Sequence, residues 1–237
     1  MFPKSWKVRA MATAIALTAS TAALAAPVAT VGFEGAFDLI GPGQTNTQYT
    51  EQRFSFTPAG GDALIDTSSC AVGVEYCATG NSSTHLQALN GASVTIRPVN
   101  EWFQLHSLDA SFLPSPSLSL SGYSFGLLLS GTTLGGGSVS QLLELVESAV
   151  LPGDFEFSSY TGAADMTRLT SLTLSACYIT GGGCITDAAG LAADFLLPSD
   201  LQFSVDNLSM SIPEPSAIWL AALSLGALVA TRRRSTR

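Results

Sequence analysis

The residues able to do chemistry in this chain are few and scattered. Gly122-Tyr123-Ser124-Phe125-Gly126 has the G-x-S-x-G form of a nucleophile elbow. Such an elbow needs a strand, a sharp turn and then a helix, with the acid and the histidine after the serine. Here Leu127, Leu128 and Leu129 lead to a glycine-rich turn, and both histidines, His85 and His106, precede Ser124. Neither histidine belongs to an H-E-x-x-H pattern or has a second ligand at helical spacing, so both read as solvated or packed. Glu34, Asp109, Glu144, Glu147, Asp154 and Glu156 are available as the paired carboxylates of a glycoside hydrolase, which must stand about 5 to 9.5 Å apart. With seventeen acidic residues ahead of Glu214, a pair at that separation is expected by chance. Gly135-Gly136-Gly137 lacks the lysine of a phosphate loop. No residue is assigned a catalytic role, and the expectation is a protein that is not an enzyme.

Binding chemistry rests on aromatic and cysteine side chains. Sugar recognition uses exposed aromatic rings as platforms with a few convergent polar groups. Trp102 is the tryptophan available for this between the terminal segments, with Tyr49, Tyr76, Tyr123, Tyr160 and Tyr178. It follows Asn100 and Glu101 at a turn into a strand, a position compatible with exposure or with plugging a core. Cys70 and Cys77 share the spacing of Cys177 and Cys184, and each pair lies among turn-forming residues. Four cysteines allow three pairings. The local ones, Cys70 with Cys77 and Cys177 with Cys184, are expected, each stabilising by about 2.5 kcal/mol through closure of a short loop. A zinc site is the alternative, but C-x6-C is not the C-x2-C spacing of zinc knuckles.

The elements that must position these residues are strands. Segments 30–37, 53–57, 93–98, 103–112, 117–129, 154–160, 169–178 and 201–212 alternate apolar or β-branched residues with serine, threonine or charge. Gly-Pro-Asn-Asp clusters separate them, as at Gly41-Pro42-Gly43 and Ala59-Gly60-Gly61-Asp62. Segment 139–150 could be a one-sided helix, but its flanks favour a strand ending near Glu147. Many short strands with turn signals predict an all-β fold, an antiparallel β-sandwich.

Both ends of the chain read as targeting segments. Lys4, Lys7 and Arg9 precede a small apolar stretch, and Ala23-Leu24-Ala25 fits the small-x-small rule, so residues 1–25 are expected to be a signal peptide. At the other end, Pro213-Glu214-Pro215 cannot continue a helix. An apolar run then predicts a helix over about 216–231, some 22 Å long against a hydrocarbon core of about 30 Å. Arg232-Arg233-Arg234 follows and favours a cytoplasmic C-terminus.

This 212–237 tail resembles the PEP-CTERM sorting signal of Gram-negative, exopolysaccharide-producing bacteria. The resemblance carries Pro213, Glu214, Pro215, Arg232, Arg233 and Arg234 as the recognised parts. It implies processing by an exosortase after signal peptidase, an inner-membrane intermediate, and then release to the cell surface or beyond. An ordinary tail anchor is the alternative.

Residues 26–211 then form one ectodomain, large enough for a single core. Its cations are Arg53, Arg97 and Arg168 against seventeen acids, a net charge of −14 with no lysine. Such a surface repels nucleic acid and anionic lipid headgroups and tolerates cations and neutral glycans. The order of Gly32-Phe33-Glu34-Gly35, Leu89-Asn90-Gly91, the 102–109 segment and Phe203-Ser204-Val205-Asp206-Asn207-Leu208 is similar to a recurring kind of PEP-CTERM ectodomain. That layout looks like the jelly-roll fold shared with many carbohydrate-binding modules. The resemblance implies that Glu34 and Asp206 share a structural calcium, which takes six to eight oxygens. Two solvated strand-end acids are the alternative.

Three functions are therefore expected, in order: a non-catalytic surface or extracellular-matrix protein associated with exopolysaccharide or biofilm, a glycan-binding module, and a secreted hydrolase. The second requires Trp102 and neighbouring tyrosines on one exposed face. The third requires two converging acids in a cleft, or Ser124 beside a histidine.

Overall fold

A computed structural model describes residues 27–35, 38–67, 80–99, 102–114, 123–148, 155–181 and 183–212. The signal-peptide segment, Cys70 with Cys77, and the whole 213–237 tail lie outside the described residues. Among the described residues no helix is long and apolar enough to cross a membrane.

The chain folds as two packed antiparallel sheets, as expected for a sandwich. The first runs β11 (Ser158–Thr161), β8 (Gln104–Phe112), β14 (Phe203–Ser211), β6 (Thr84–Ala88), β5 (Ala63–Thr67) and β2 (Asp38–Ile40). Strand β1 (Val28–Val31) pairs with the last residues of β14, from Val28 opposite Ser211 to Val31 opposite Leu208. The second sheet runs β10 (Ser138–Glu144), β9 (Ser124–Thr133), β12 (Leu169–Thr180), β7 (Ser93–Pro98), β4 (Phe54–Ala59) and β3 (Tyr49–Glu51), with β13 (Gly183–Ile185) beside β12. A short helix, α1 (Ala188–Ala192), begins at Asp187, whose Oδ1 accepts from the Gly190 N–H at 2.8 Å.

Alternation explains the strands. In β7, Val94 and Ile96 are fully buried while Thr95 and Arg97 face outward, and Pro98 ends the strand. In β12, Leu172, Leu174 and Ala176 enter the core. Aromatic rings fill the space between the sheets. Phe112 stacks on Phe125 with centroids 3.9 Å apart, Phe155 meets both edge-on, and Phe54 meets Phe103 edge-on at 5.4 Å. Offset and edge-to-face pairs of this kind add to the apolar area they bury.

The predicted segment 93–98 coincides with β7, and 103–112, 169–178 and 201–212 match β8, β12 and β14 to within two residues. Segment 139–150 carries strand β10, which ends at Glu144; Glu147 makes an isolated bridge to Phe155, and residues 149–150 lie outside the described residues. The first strand lies earlier than predicted, because Phe33 turns into the left-handed region at φ 54° and ends the pairing. The Cys177–Cys184 disulfide is present and staples β12 to β13 with Cα atoms 5.5 Å apart.

At Asn90-Gly91 both residues have positive φ, 55° and 74°, the pattern of a type I′ turn. A Cβ on Gly91 would stand 2.3 Å from the Pro198 carbonyl oxygen, so only glycine lets the two loops close on each other. The turn sends the chain from β6 in the first sheet to β7 in the second.

Candidate functional site

The side chains of the first sheet that face away from the core are polar, and at its centre they are buried. Phe203 and Val205 of β14 enter the core, so Ser204 and Asp206 project from the opposite face. The same alternation puts Ser111 and Asp109 of β8, His85 and Gln87 of β6, and Asp66 of β5 on that face. Register arranges them in two adjacent rows. One contains Ser111 opposite Ser204, Ser204 opposite Gln87, and Gln87 opposite Leu64. The other contains Ser159 opposite Asp109, Asp109 opposite Asp206, and His85 opposite Asp66. His85, Ser111, Ser204 and Asp206 are fully buried, whereas Ser159 at the sheet edge is exposed.

Asp206 occupies the point where β14 changes partner. Its neighbour Val205 pairs with β6, Leu208 pairs with β1, and the β8 pairing shifts register between Asp206 and Ser209. Asn207 makes the shift, with φ 49°, a left-handed conformation that asparagine tolerates better than most residues. The Asp206 carboxylate is held by three donors. Oδ2 accepts from Asn81 Nδ2 at 2.7 Å and from the Ser83 hydroxyl, and Oδ1 accepts from the Asn207 N–H at 2.7 Å. Asn207 Nδ2 donates at 2.8 Å to Asp109 Oδ2, whose other oxygen accepts from the Ser159 hydroxyl. Two buried or half-buried carboxylates are thus kept side by side by neutral donors rather than by cations.

Ser83 connects this pair to the histidine. Its carbonyl lies 3.1 Å from His85 Nδ1, and a carbonyl can only accept, so Nδ1 carries the proton. His85 Nε2 is then the acceptor for Gln87 Nε2 at 3.0 Å. Burial pushes His85 below the usual imidazole range, against the opposing pull of the Ser83 carbonyl, Asp206 and Asp66. Phe157 meets the imidazole edge-on at 5.2 Å, and Ser111 Oγ donates to the Phe155 carbonyl at 3.1 Å, so the 155–157 segment lies over this face. Ser204 Oγ is buried with no hydrogen-bond partner, the one such side-chain atom among the described residues.

That cluster was only partly visible in the sequence. The sequence picks out Asp109, Asp206 and His85 singly and not together, and His85, read there as solvated or packed, is packed on the fully buried strand β6. Gln87, Ser111 and Ser204 were missed. The available signal was the run Thr84-His85-Leu86-Gln87-Ala88, whose alternation is that of a strand with one polar face.

The other expected site residues are dispersed. Glu34 is exposed, and its Oε1 lies 3.7 Å from the point where a Cβ on Gly32 would sit, with Asp206 Oδ1 at 4.0 Å from the same point. The two carboxylates therefore face one spot beside Gly32. Among the described residues no three His, Cys, Asp or Glu side chains gather as a metal site. A cation beside Gly32 would need backbone or water oxygens in addition. Trp102 is half-buried, with the Arg168 guanidinium 5.9 Å from its ring centre. Tyr178 stands at the other end of β12 from Arg168, about 30 Å away at roughly 3.3 Å per residue. Trp102 and the Tyr123–Tyr178 pair, whose centroids are 5.5 Å apart, therefore do not share a face. Ser124 opens β9 in the second sheet, while both histidines belong to the first, and His106 Nε2 is engaged with Ser211 Oγ at 2.9 Å. Strand β9 continues for ten residues from Ser124 with no turn into a helix, which removes the elbow.

No family model matches this chain, and no curated protein does. Among solved structures, it is similar to a DUF4465 family protein from Bacteroides caccae, with a TM-score of 0.51 and 9% identity over 79% of this chain and 100% of that one. It is less similar to a family 29 carbohydrate-binding module complexed with mannohexaose, with a TM-score of 0.37 and 10% identity over 79% and 93%. A family 22 xylan-binding domain from Paenibacillus barcinonensis gives a TM-score of 0.34 and 13% identity over 82% and 100%. The first likeness establishes a shared two-sheet β-sandwich fold and, at that identity, nothing finer.

Proposed function

We propose that residues 26–211 are a non-catalytic, jelly-roll-like module that binds neutral glycans through the outer polar face of the first sheet. The observation that carries this reading is the row Ser111, Ser204 and Gln87, in which a fully buried hydroxyl has no partner. A buried polar group without a partner costs about 1 to 3 kcal/mol, which a hydroxyl-bearing ligand recovers once it displaces the 155–157 segment lying over this row. Hydroxyl, amide and carboxylate groups in adjacent rows suit a ligand that both donates and accepts, and the −14 charge of the domain disfavours anionic ones. The module is exported by its signal peptide and sorted through Pro213-Glu214-Pro215 by an exosortase, which makes it a surface or matrix component alongside exopolysaccharide. Convergence of Glu34 and Asp206 beside Gly32 supports a structural calcium there.

Affinity electrophoresis in gels containing neutral polysaccharides tests the glycan reading. The native protein is expected to be retarded by at least one such polymer, and Gln87→Leu and Ser111→Ala variants to migrate freely while keeping their unfolding temperature within a few degrees. Equal migration of native and variant proteins in every polymer refutes it. A rise in unfolding temperature with calcium that disappears in Glu34→Gln checks the cation.

A further inference from the structure

The sequence-level charge of the ectodomain predicts repulsion from anionic surfaces, yet the fold separates its charges by pole. Strands β8 and β12 begin, and β7 and β14 end, at one end of the sandwich, where Phe103 bridges Leu169 and Gln104 lies opposite Ser211. All three arginines of residues 26–211 are there. Arg53 follows Gln52 in the β3–β4 turn, Arg97 lies on β7 one residue from its end, and Arg168 precedes β12. Two of them hold a positive φ, 78° at Arg53 and 55° at Arg168, in turn positions that glycine or asparagine would occupy with less strain. Trp102 lies under Arg168, and Val28, Val99 and Leu134 at the same end are 58%, 65% and 43% exposed. Glu51 and Asp165 are its described acids. The opposite pole carries Asp62, Asp187, Asp194 and Asp200 with no cation of the ectodomain, and the nearly bare Phe195 lies among them.

The last described residue, Ile212, leaves from the arginine pole, and the apolar run begins four residues later at Ser216. Four extended residues span at most about 14 Å. If the run inserts in a membrane, this pole is tethered about that far from the headgroups, within reach of charges screened over roughly 8 to 10 Å. We infer that the arginine pole docks on the anionic lipid surface into which the 216–231 segment inserts, with Trp102 at the interface. This rests on reading that segment as a membrane helix. Tryptophan and arginine beside exposed aliphatic side chains suit the headgroup region. Docking presents the glycan-binding face sideways and the acidic pole outward.

The test uses the full chain with Trp6→Phe and Trp219→Phe, leaving Trp102 as the single reporter. The protein is reconstituted with phosphatidylcholine vesicles, with or without phosphatidylglycerol, carrying brominated acyl chains. Co-flotation with either vesicle reads insertion of the tail. Quenching of Trp102 reads docking. The expected result is flotation with both vesicles and at least twofold stronger quenching with phosphatidylglycerol, abolished by high salt and by joint Arg53→Gln, Arg97→Gln and Arg168→Gln. A Phe195→Ala variant at the far pole should behave as the parent does. Flotation with equal, weak quenching on both lipids overturns docking while leaving the tail reading intact. Absence of flotation overturns the tail reading and the docking with it. Strong quenching that ignores the lipid charge and the arginine replacements overturns the assignment of an anionic surface.

Discussion

Asp109 and Asp206 stand directly opposite each other on β8 and β14, and Asn207 donates to both: its side-chain amide to Asp109 and its backbone N–H to Asp206. Like charges on opposed strand positions repel unless something separates them. Here the separation is supplied by neutral donors, namely Asn81, Ser83, Ser159 and Asn207. Replacing Asn207 with glycine keeps the φ of 49° accessible and removes the side-chain bond, so a loss of about 1 kcal/mol is expected. Replacement with alanine adds left-handed strain and should cost about 2 kcal/mol in all. Urea denaturation of the two variants checks the order.

The unpartnered Ser204 hydroxyl makes an unusual prediction. Removing a partnered buried hydroxyl destabilises, whereas removing an unpartnered one relieves a desolvation cost. Ser204→Ala should therefore unfold at the same or a higher temperature than the native protein without ligand. In the presence of a retarding polysaccharide it should gain less stability than the native protein, because the bond it would offer the ligand is gone. Differential scanning calorimetry with and without polymer measures both.

How legible was this in the sequence? The long strands were, because β7, β8, β12 and β14 place apolar residues at alternate positions against a common core. The short ones were not. Strands β2 and β3 have three residues each, too few for a period to register. β6 has every residue buried, so polarity does not report its two faces as inside and outside. For the same reason the site was hidden: His85, Gln87 and Ser204 are polar and buried, whereas sequence reading equates a polar strand face with solvent. The pairing of Cys177 with Cys184 was legible because a tight hairpin brings the two Cα atoms to 5.5 Å. Charge segregation was illegible, since Arg53, Arg97 and Arg168 are 115 residues apart end to end in the chain and meet only through strand direction.

The disulfide supplies a local prediction. Cys177→Ser with Cys184→Ser opens an eight-residue loop and should lower stability by about 2.5 kcal/mol. Because β13 pairs only at Tyr178, Ile179 and Thr180, the loss should appear first as faster amide exchange in Gly183–Ile185. Uniformly faster exchange across β7 and β9 would mean that the staple supports the whole sheet.

Processing is predicted separately from folding. Glu214 lies outside the sandwich in sequence, so Glu214→Ala should leave the unfolding temperature unchanged. In a host bearing an exosortase, it should hold the full-length chain in the inner membrane. Mass spectrometry of the mature protein decides between a species trimmed near Pro213 and one ending at Arg237.

Acid should weaken the fold through His85. The ring is buried and neutral, donating from Nδ1 to Ser83 and accepting at Nε2 from Gln87, so a second proton would set two donors against each other at 3.0 Å. Its folded-state pKa lies below the ordinary value of 6.5 because burial outweighs the Ser83 carbonyl, Asp206 and Asp66. The unfolded chain then binds the proton first as pH falls. Stability from this group is intact above about pH 6.5, declines as pH drops below that value, and stops declining once the folded pKa is reached. A His85→Gln variant cannot titrate and should show a flatter stability profile from pH 7 to 5, whatever its absolute stability. Urea midpoints at pH 7 and pH 5 for both proteins give the comparison. If the native midpoint does not fall more than that of the variant, the folded ring takes its second proton as readily as the unfolded chain does, and the Ser83–His85–Gln87 relay does not hold the tautomer assigned to it.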